Sequence, residues 1–434
     1  MRVSTALMSM FSLDSMLNQQ HGLSRTQLQI STGRRILTPA DDPFGSSRGL
    51  DLGETVAINE QYSLNAVFAA NRLKFEEGVL QGMNTGLQRV RELAILANND
   101  SQTAESRGSI QVEVKMILEQ MLDLGNSVDS NGEYLFAGHK GKTKPFAPDG
   151  AGNFLYYGDD GQRFLAISAA TDVAVGDSGK EVFQAVRNGN AKFQIQEDPA
   201  NTGTGIIDPG SVIGTFLPDT YTIKFIPPTV PPNNIDDPVE YYVVDTALPF
   251  PNVIEPPVGV DEPTFLTNVG LGTMTGTQYE EGVVIGGIVN PPYGVQTSIQ
   301  GDPQAGDQFI VSPSDHQDIF KTVQNFVDAL DGPFSTEAEK AHFHNAMNRV
   351  IVDIDQAMGS VLDTEARVGA RLHTVDKQID INESFNLHMK ETLSAITDLD
   401  YAEAITRLNM QMRGLSAAQQ TYTNIQGLSL FNYI

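Results

Sequence analysis

Proline divides this 434-residue chain into three before any other feature is considered. Residues 1–135 hold only Pro39 and Pro43, residues 316–434 hold only Pro333, and the other 19 prolines crowd the 180 residues between. A proline has no backbone N–H to give, and its ring clashes with the preceding helical turn, so it interrupts helix interiors and central strands alike. The flanks can therefore be long helices, while the centre is restricted to short strands and turns.

The flanks carry heptads. Leu80, Met83, Leu87, Val90, Ala94 and Ala97 repeat at the spacing of a seam that packs along another helix, and Ile110, Val114, Ile117, Met121, Leu124 and Val128 do the same after the breaking sequence Asn98–Ser101. Ile354, Met358, Val361, Val368, Leu372, Val375 and Ile379 keep one register, with Glu365 at its missing position. A second register, Ile405, Leu408, Met412, Leu415, Gln419 and Tyr422, is out of phase with the first, and the slip falls near Asp398–Asp400. A phase change of this kind marks a helix that changes partner. Asp42-Pro43 reads as an N-cap followed by proline at the first helical position. A helical run of ~50 residues would be about 75 Å long. The expected fold is α+β and elongated. Its terminal helices pair as an α-helical coiled-coil rod, and a proline-rich, mainly β central domain is inserted at the far end. The expected division is 1–40 with 399–434, 41–185 with 313–398, and 186–312. Strands are expected at Tyr134–Phe136, Phe154–Tyr157, Phe164–Ile167, Tyr221–Ile226, Tyr241–Val244, Val283–Ile285 and Phe309–Val311.

Charge and missing residue types narrow the function. The net charge of −26 argues against nucleic-acid or anionic-membrane partners, which call for a basic patch. No apolar run approaches the ~18 residues of a membrane helix. No apolar stretch with a small-residue cleavage site opens the chain, so no ordinary secretory signal is read. With no cysteine there are no disulfides, cysteine nucleophiles or cysteine-ligated metals. Residues 1–40 are net +3 and residues 390–434 net −1, so nearly all the acidity lies between, where it faces water. The search for catalysis is negative. Gly138–Thr143 ends like a phosphate loop, but Phe136 stands where the first glycine belongs. His342 and His344 would point to different faces of a helix. Asp41-Asp42 and Asp159-Asp160 lack calcium-loop spacing and read as caps and turns. No catalytic, cofactor or metal site is expected. The terminal stripes could be plain core, or they could pack between molecules.

Met1-Arg2-Val3-Ser4-Thr5, the run Ser31–Pro43, and the ending Leu408-Asn409, Gln419–Tyr422 and Leu428–Ile434 together resemble the flagellin superfamily. Tyr134–His139 and Tyr157–Gln162 are similar to the same family. The resemblance is specific over 1–60, 130–185 and 385–434, and loose over 186–312. Flagellins usually carry a serine- and alanine-rich equivalent of Thr38–Pro43 and do not end in Phe-Asn-Tyr. Those departures point to the superfamily's hook–filament junction branch rather than to a filament subunit.

The resemblance implies an extracellular structural subunit exported unfolded by the flagellum's own pathway. Its partners would be the other hook-associated junction protein, flagellin, a ring of its own copies, and an export chaperone on the carboxyl-terminal helix. The residues expected to pack against partners are Leu7, Phe11, Leu17, Ile405, Leu408, Met412, Leu415, Tyr422, Leu428, Leu430 and Phe431. A filament flagellin, or an adhesin or carbohydrate-binding role for 186–312, is the alternative.

Overall fold

The computed structural model describes residues 5–228, 238–246, 252–256, 260–270, 274–286 and 294–427. Its helices are α1 (Thr5–Thr32), α2 (Pro43–Ala97), α3 (Ala104–Gly125), α4 (Glu262–Gly270), α5 (Ile319–Leu330), α6 (Glu337–Thr397) and α7 (Tyr401–Gly427). All the described strands lie between α3 and α5, the stretch where proline is concentrated. The chain forms two compact units, one of residues 1–68, 166–172 and 375–434, the other of 69–165 and 173–374.

In the larger unit α2 and α6 lie antiparallel, with Arg91 paired to Asp355 at 2.6 Å and Gln81 Nε2 donating to Glu365 at 3.2 Å. Leu80, Met83, Leu87, Val90, Ala94 and Ala97 are all fully buried, as a packed seam requires. A Cβ at Gly86 would sit 3.2 Å from Met121 Cγ, so glycine is what lets α3 approach α2 this closely. Two seam positions differ from the sequence reading. Thr364, not Glu365, fills the gap in the α6 register, and Thr364 is buried because its hydroxyl is satisfied by Ser360 O at 3.0 Å. Val128 lies beyond α3 and is exposed. The helix stops earlier because the Asn126 side chain bonds both the N–H and the carbonyl of Phe146, at 2.9 and 3.1 Å. Tyr134–Phe136 is a turn rather than a strand, with only Tyr134 in an isolated bridge to Val128. Leu135 and Phe136 are nonetheless buried, and Phe136 joins Phe183 at 4.9 Å in an aromatic cluster that includes Phe146 and Phe320.

The proline-rich centre folds around an antiparallel sheet in the order Asn252–Glu255, Glu240–Asp245, Tyr221–Ile226, Gln308–Pro313, Phe193–Glu197. Alternation decides its two faces. Tyr241 and Val243 point into one core with Phe225, Phe309 and Ile299, while Tyr242 and Val244 point into another with Phe265 of α4. Asn345 of α6 ties this region down. Buried, it accepts from Ile207 N at 2.9 Å and donates to Gly205 O at 3.0 Å and to Glu197 Oε2 at 2.6 Å. Asn345→Ala leaves those three groups without their partner, and is expected to cost about 2 kcal/mol. That corresponds to about 3 °C in thermal circular dichroism for a unit of this size, and an unchanged melt would show that the bonds carry no weight.

In the smaller unit α1 lies antiparallel to α7, and the early part of α2 lies beside the end of α6. Asn59 Nδ2 donates to Asn382 O at 2.9 Å, and Lys390 pairs with Glu60 at 2.7 Å.

Candidate assembly surface at the terminal helix pair

The Ser31–Pro43 run is a clasp. Gly33 ends α1 in the left-handed region at φ 68°, and a Cβ there would come within 3.0 Å of the Tyr401 hydroxyl oxygen. From this turn Arg35 N donates to Thr397 O at 2.8 Å, and Leu399 N donates back to Gly33 O at 2.9 Å. The Arg35 guanidinium places Nε and Nη2 on Ile396 O at 3.0 and 2.7 Å, supplying donors to the carbonyl end of α6. Asp42 caps α2 by accepting from Gly45 N at 2.9 Å and reaches Arg35 at 3.2 Å. Asp41 accepts from Thr38 N and Leu37 N and pairs with Arg25 at 2.6 Å. The Thr38 N–H, then Leu37 and Arg25, hold the Asp41 carboxyl below its usual range, and the Gly45 N–H with Arg35 does the same for Asp42. The phase slip at Asp398–Asp400 is therefore a real break between α6 and α7, latched to the end of α1. Sequence reasoning recognised these residues as a signature and as caps but missed Arg25 and Arg35 as positioning groups, and with them Gln29, whose Nε2 donates to Arg35 O at 2.6 Å. An arginine pair following a helix-ending glycine was the available signal.

The helix pair is inverted relative to an ordinary amphipathic hairpin. The least exposed positions of α1 include Ser12, Met16, Gln19, Leu23, Thr26 and Gln29, a mostly polar stripe at heptad spacing. Facing it on α7 are Ala404, Leu408, Gln411, Leu415, Ala418 and Tyr422. Glycines bring the helices together where amides cross. A Cβ at Gly22 would lie 3.4 Å from Gln411 Nε2, and one at Gly414 would lie 4.0 Å from Gln19 Oε1. The carbonyl oxygens of Gln19 and Gln411 are buried without a hydrogen-bond partner among the described residues. Outside stand Leu7, Met10, Phe11, Leu13 and Leu17 of α1 and Ile405, Met410 and Met412 of α7, with Phe11 at 66% and Met410 at 67% exposure.

The expected packing residues thus fall into three groups. Leu7, Phe11, Leu17, Ile405 and Met412 face outward, each at least 47% exposed. Leu408, Leu415 and Tyr422 are half-buried on the stripe that meets α1. Leu428, Leu430 and Phe431 lie outside the described residues. Met10, Leu13 and Met410 join the outward set and were not singled out from the sequence. Elsewhere His342 pairs with Glu197 and His344 with Asp100, on separate contacts. Among the described residues no three potential ligands gather as a metal site, and no helix is long and apolar enough to cross a membrane.

Comparison with known proteins follows the same geometry. Residues 3–141 match the bacterial flagellin N-terminal helical region. The flagellar hook-associated protein 3 of Salmonella typhimurium is 31% identical over 186 residues, 43% of this chain and 58% of that protein. Flagellin FlaB1 of Treponema pallidum is 30% identical over 201 residues, 44% of this chain and 67% of that one. Among solved structures, hook-associated protein 3 of Legionella pneumophila superposes with a TM-score of 0.70 at 32% identity, covering 80% of this chain and 98% of that chain. FlgL of Xanthomonas campestris gives 0.66 at 28% identity, covering 79% and 99%. The chain spans 58% of the length of the curated hook-associated relatives it matches.

Proposed function

Because the chain belongs to the hook-associated protein 3 family of the flagellin superfamily, we propose that it is a structural subunit of the bacterial flagellum that joins the hook to the filament. The observation that carries this reading is the inverted helix pair. A polar stripe holds α1 to α7, while leucine, methionine and phenylalanine side chains stand in solvent. Burying one such side chain is worth about 1.5–3 kcal/mol, so a partner that covers several of them gains a stable contact. Large apolar side chains exposed together on one helix pair mark protein–protein contact. Neighbouring copies in a ring would cover part of it, the other hook-associated junction protein would lie on the hook side, and flagellin on the filament side. An export chaperone would shield the carboxyl-terminal helix before assembly. The role is architectural, without a catalytic step, and the site of action is the extracellular flagellum.

The test is the phenotype of a strain lacking this protein. Hooks without filaments, with intact flagellin shed into the medium, are the expected result. Disappearance of the filament's own protein band would make the chain a flagellin. Unaltered swimming would reject an assembly role of either kind.

A further inference from the structure

In the larger unit, a cavity of about 350 Å³ opens between the loop before α3, the first turns of α6 and the Thr204–Ile206 segment. Arg107 of α3 lines it and is only 8% exposed. Its guanidinium carbon lies 3.9 Å from the centre of the Phe334 ring and 4.8 Å from that of Phe343, and its Nη2 donates to Gln102 O at 3.0 Å. Its Nε is buried with no partner, and no carboxylate pairs with it among the described residues. The two acids on the cavity wall are already engaged, Asp100 with His344 at 2.8 Å and Glu337 with Lys340 at 2.6 Å.

A buried cation with no carboxylate in ion-pair contact costs several kcal/mol, which the longer-range attraction of Asp100, two aromatic faces and one carbonyl only partly offset. With Nε sealed off and Nη2 already on Gln102 O, a carboxylate meets the remaining Nη hydrogens of this flat guanidinium. The wall's two acids oppose a dianion, so a singly charged acid fits better than phosphate. The volume is at the small end for ligand cavities and suits a single ring. The rest of the wall includes the Thr204 hydroxyl and the outer edges of the Asp100–His344 and Glu337–Lys340 pairs, which suit a hydroxylated body. We propose that this cavity binds a small hydroxylated monocarboxylate of the uronic-acid class, with its carboxylate on Arg107. This site is separate from the terminal helix pair and does not depend on the junction role.

Calorimetric titration of the full chain with D-galacturonate, D-galactose and inorganic phosphate tests it. Saturable binding of the uronate is expected, with galactose and phosphate each weaker by at least about tenfold. Arg107→Met should remove uronate binding and keep the melting temperature. No saturable uronate binding, galactose or phosphate binding as tightly, or uronate binding that survives in Arg107→Met would each overturn the proposal. Should that variant not fold, crystals of the unaltered chain soaked in galacturonate decide. A carboxylate against the Arg107 guanidinium is expected, and an empty cavity refutes the site.

Discussion

Aspartates at Ile405 and Met412 are expected to leave the isolated chain melting as before while abolishing its assembly. Both side chains are 48% exposed on α7, so in the free molecule they give up little burial. Assembly has about half of each side chain still to bury, so each aspartate forfeits about 1 kcal/mol there and also brings a charge into an apolar contact. The pair then costs at least about 2 kcal/mol per contact, roughly thirtyfold in affinity, before it is repeated around a ring. Leu408→Asp with Leu415→Asp is the control. Those leucines are half-buried where α7 meets α1, so the control should unpair the terminal helices and lower the melt. Calorimetric melting of the purified chain and flagellin assayed in the growth medium separate the two. A first variant that swims normally, or that melts as low as the control, would falsify the outward face as the assembly surface.

The second large effect is a pH dependence centred on Glu76 of α2. Its side chain is fully buried. One carboxylate oxygen accepts from Asp177 N at 3.0 Å, and the other has no partner among the described residues. Burial, and next the neighbouring Asp177 carboxylate, push its carboxyl up to about 8, against the pull of Arg371, the Asp177 N–H and Arg72. In the unfolded chain the same group titrates near 4.5. Between those values the folded state holds a proton that the unfolded state has released, so stability falls as pH rises through the window. The slope is about 1.4 kcal/mol per pH unit. Glu76→Gln removes the titration and keeps an acceptor for Asp177 N. The variant should match the parent near pH 5 and exceed it by about 3 kcal/mol near pH 8, a gain of about 5 °C in melting temperature. Carboxyls held low elsewhere, such as Asp149 and Asp159, contribute equally to both proteins and drop out of the difference. A gap that does not widen with pH would show that Glu76 is ionised throughout.

Backbone chemistry and periodicity alone determined the helical flanks, the β-rich centre and the start of α2. Proline excludes long helices from the centre, and Asp42-Pro43 starts α2 because a carboxylate cap and a preset φ act within four residues. The fully buried Leu80–Ala97 seam was legible for the same reason, since a heptad is a local pattern. What failed was whatever a distant partner decided. Val128 continues its heptad on paper, but Asn126 is drawn off to Phe146 and the helix ends first. Tyr134–Phe136 has strand composition yet turns, because its N–H groups find Gly141 O and Ser127 O instead of a neighbouring strand.

At the terminal helices the sequence named many of the apolar residues, though not Met10, Leu13 or Met410, and could not divide them into those that face the partner helix and those that face solvent. That division follows from the crossing of Gln19 and Gln411 with Gly414 and Gly22, and from a clasp that joins residues 361 apart in the chain, Arg35 and Ile396. Only the tertiary structure decides it, because a heptad states which side chains share a face, and the depth of the opposing backbone determines which of them are covered.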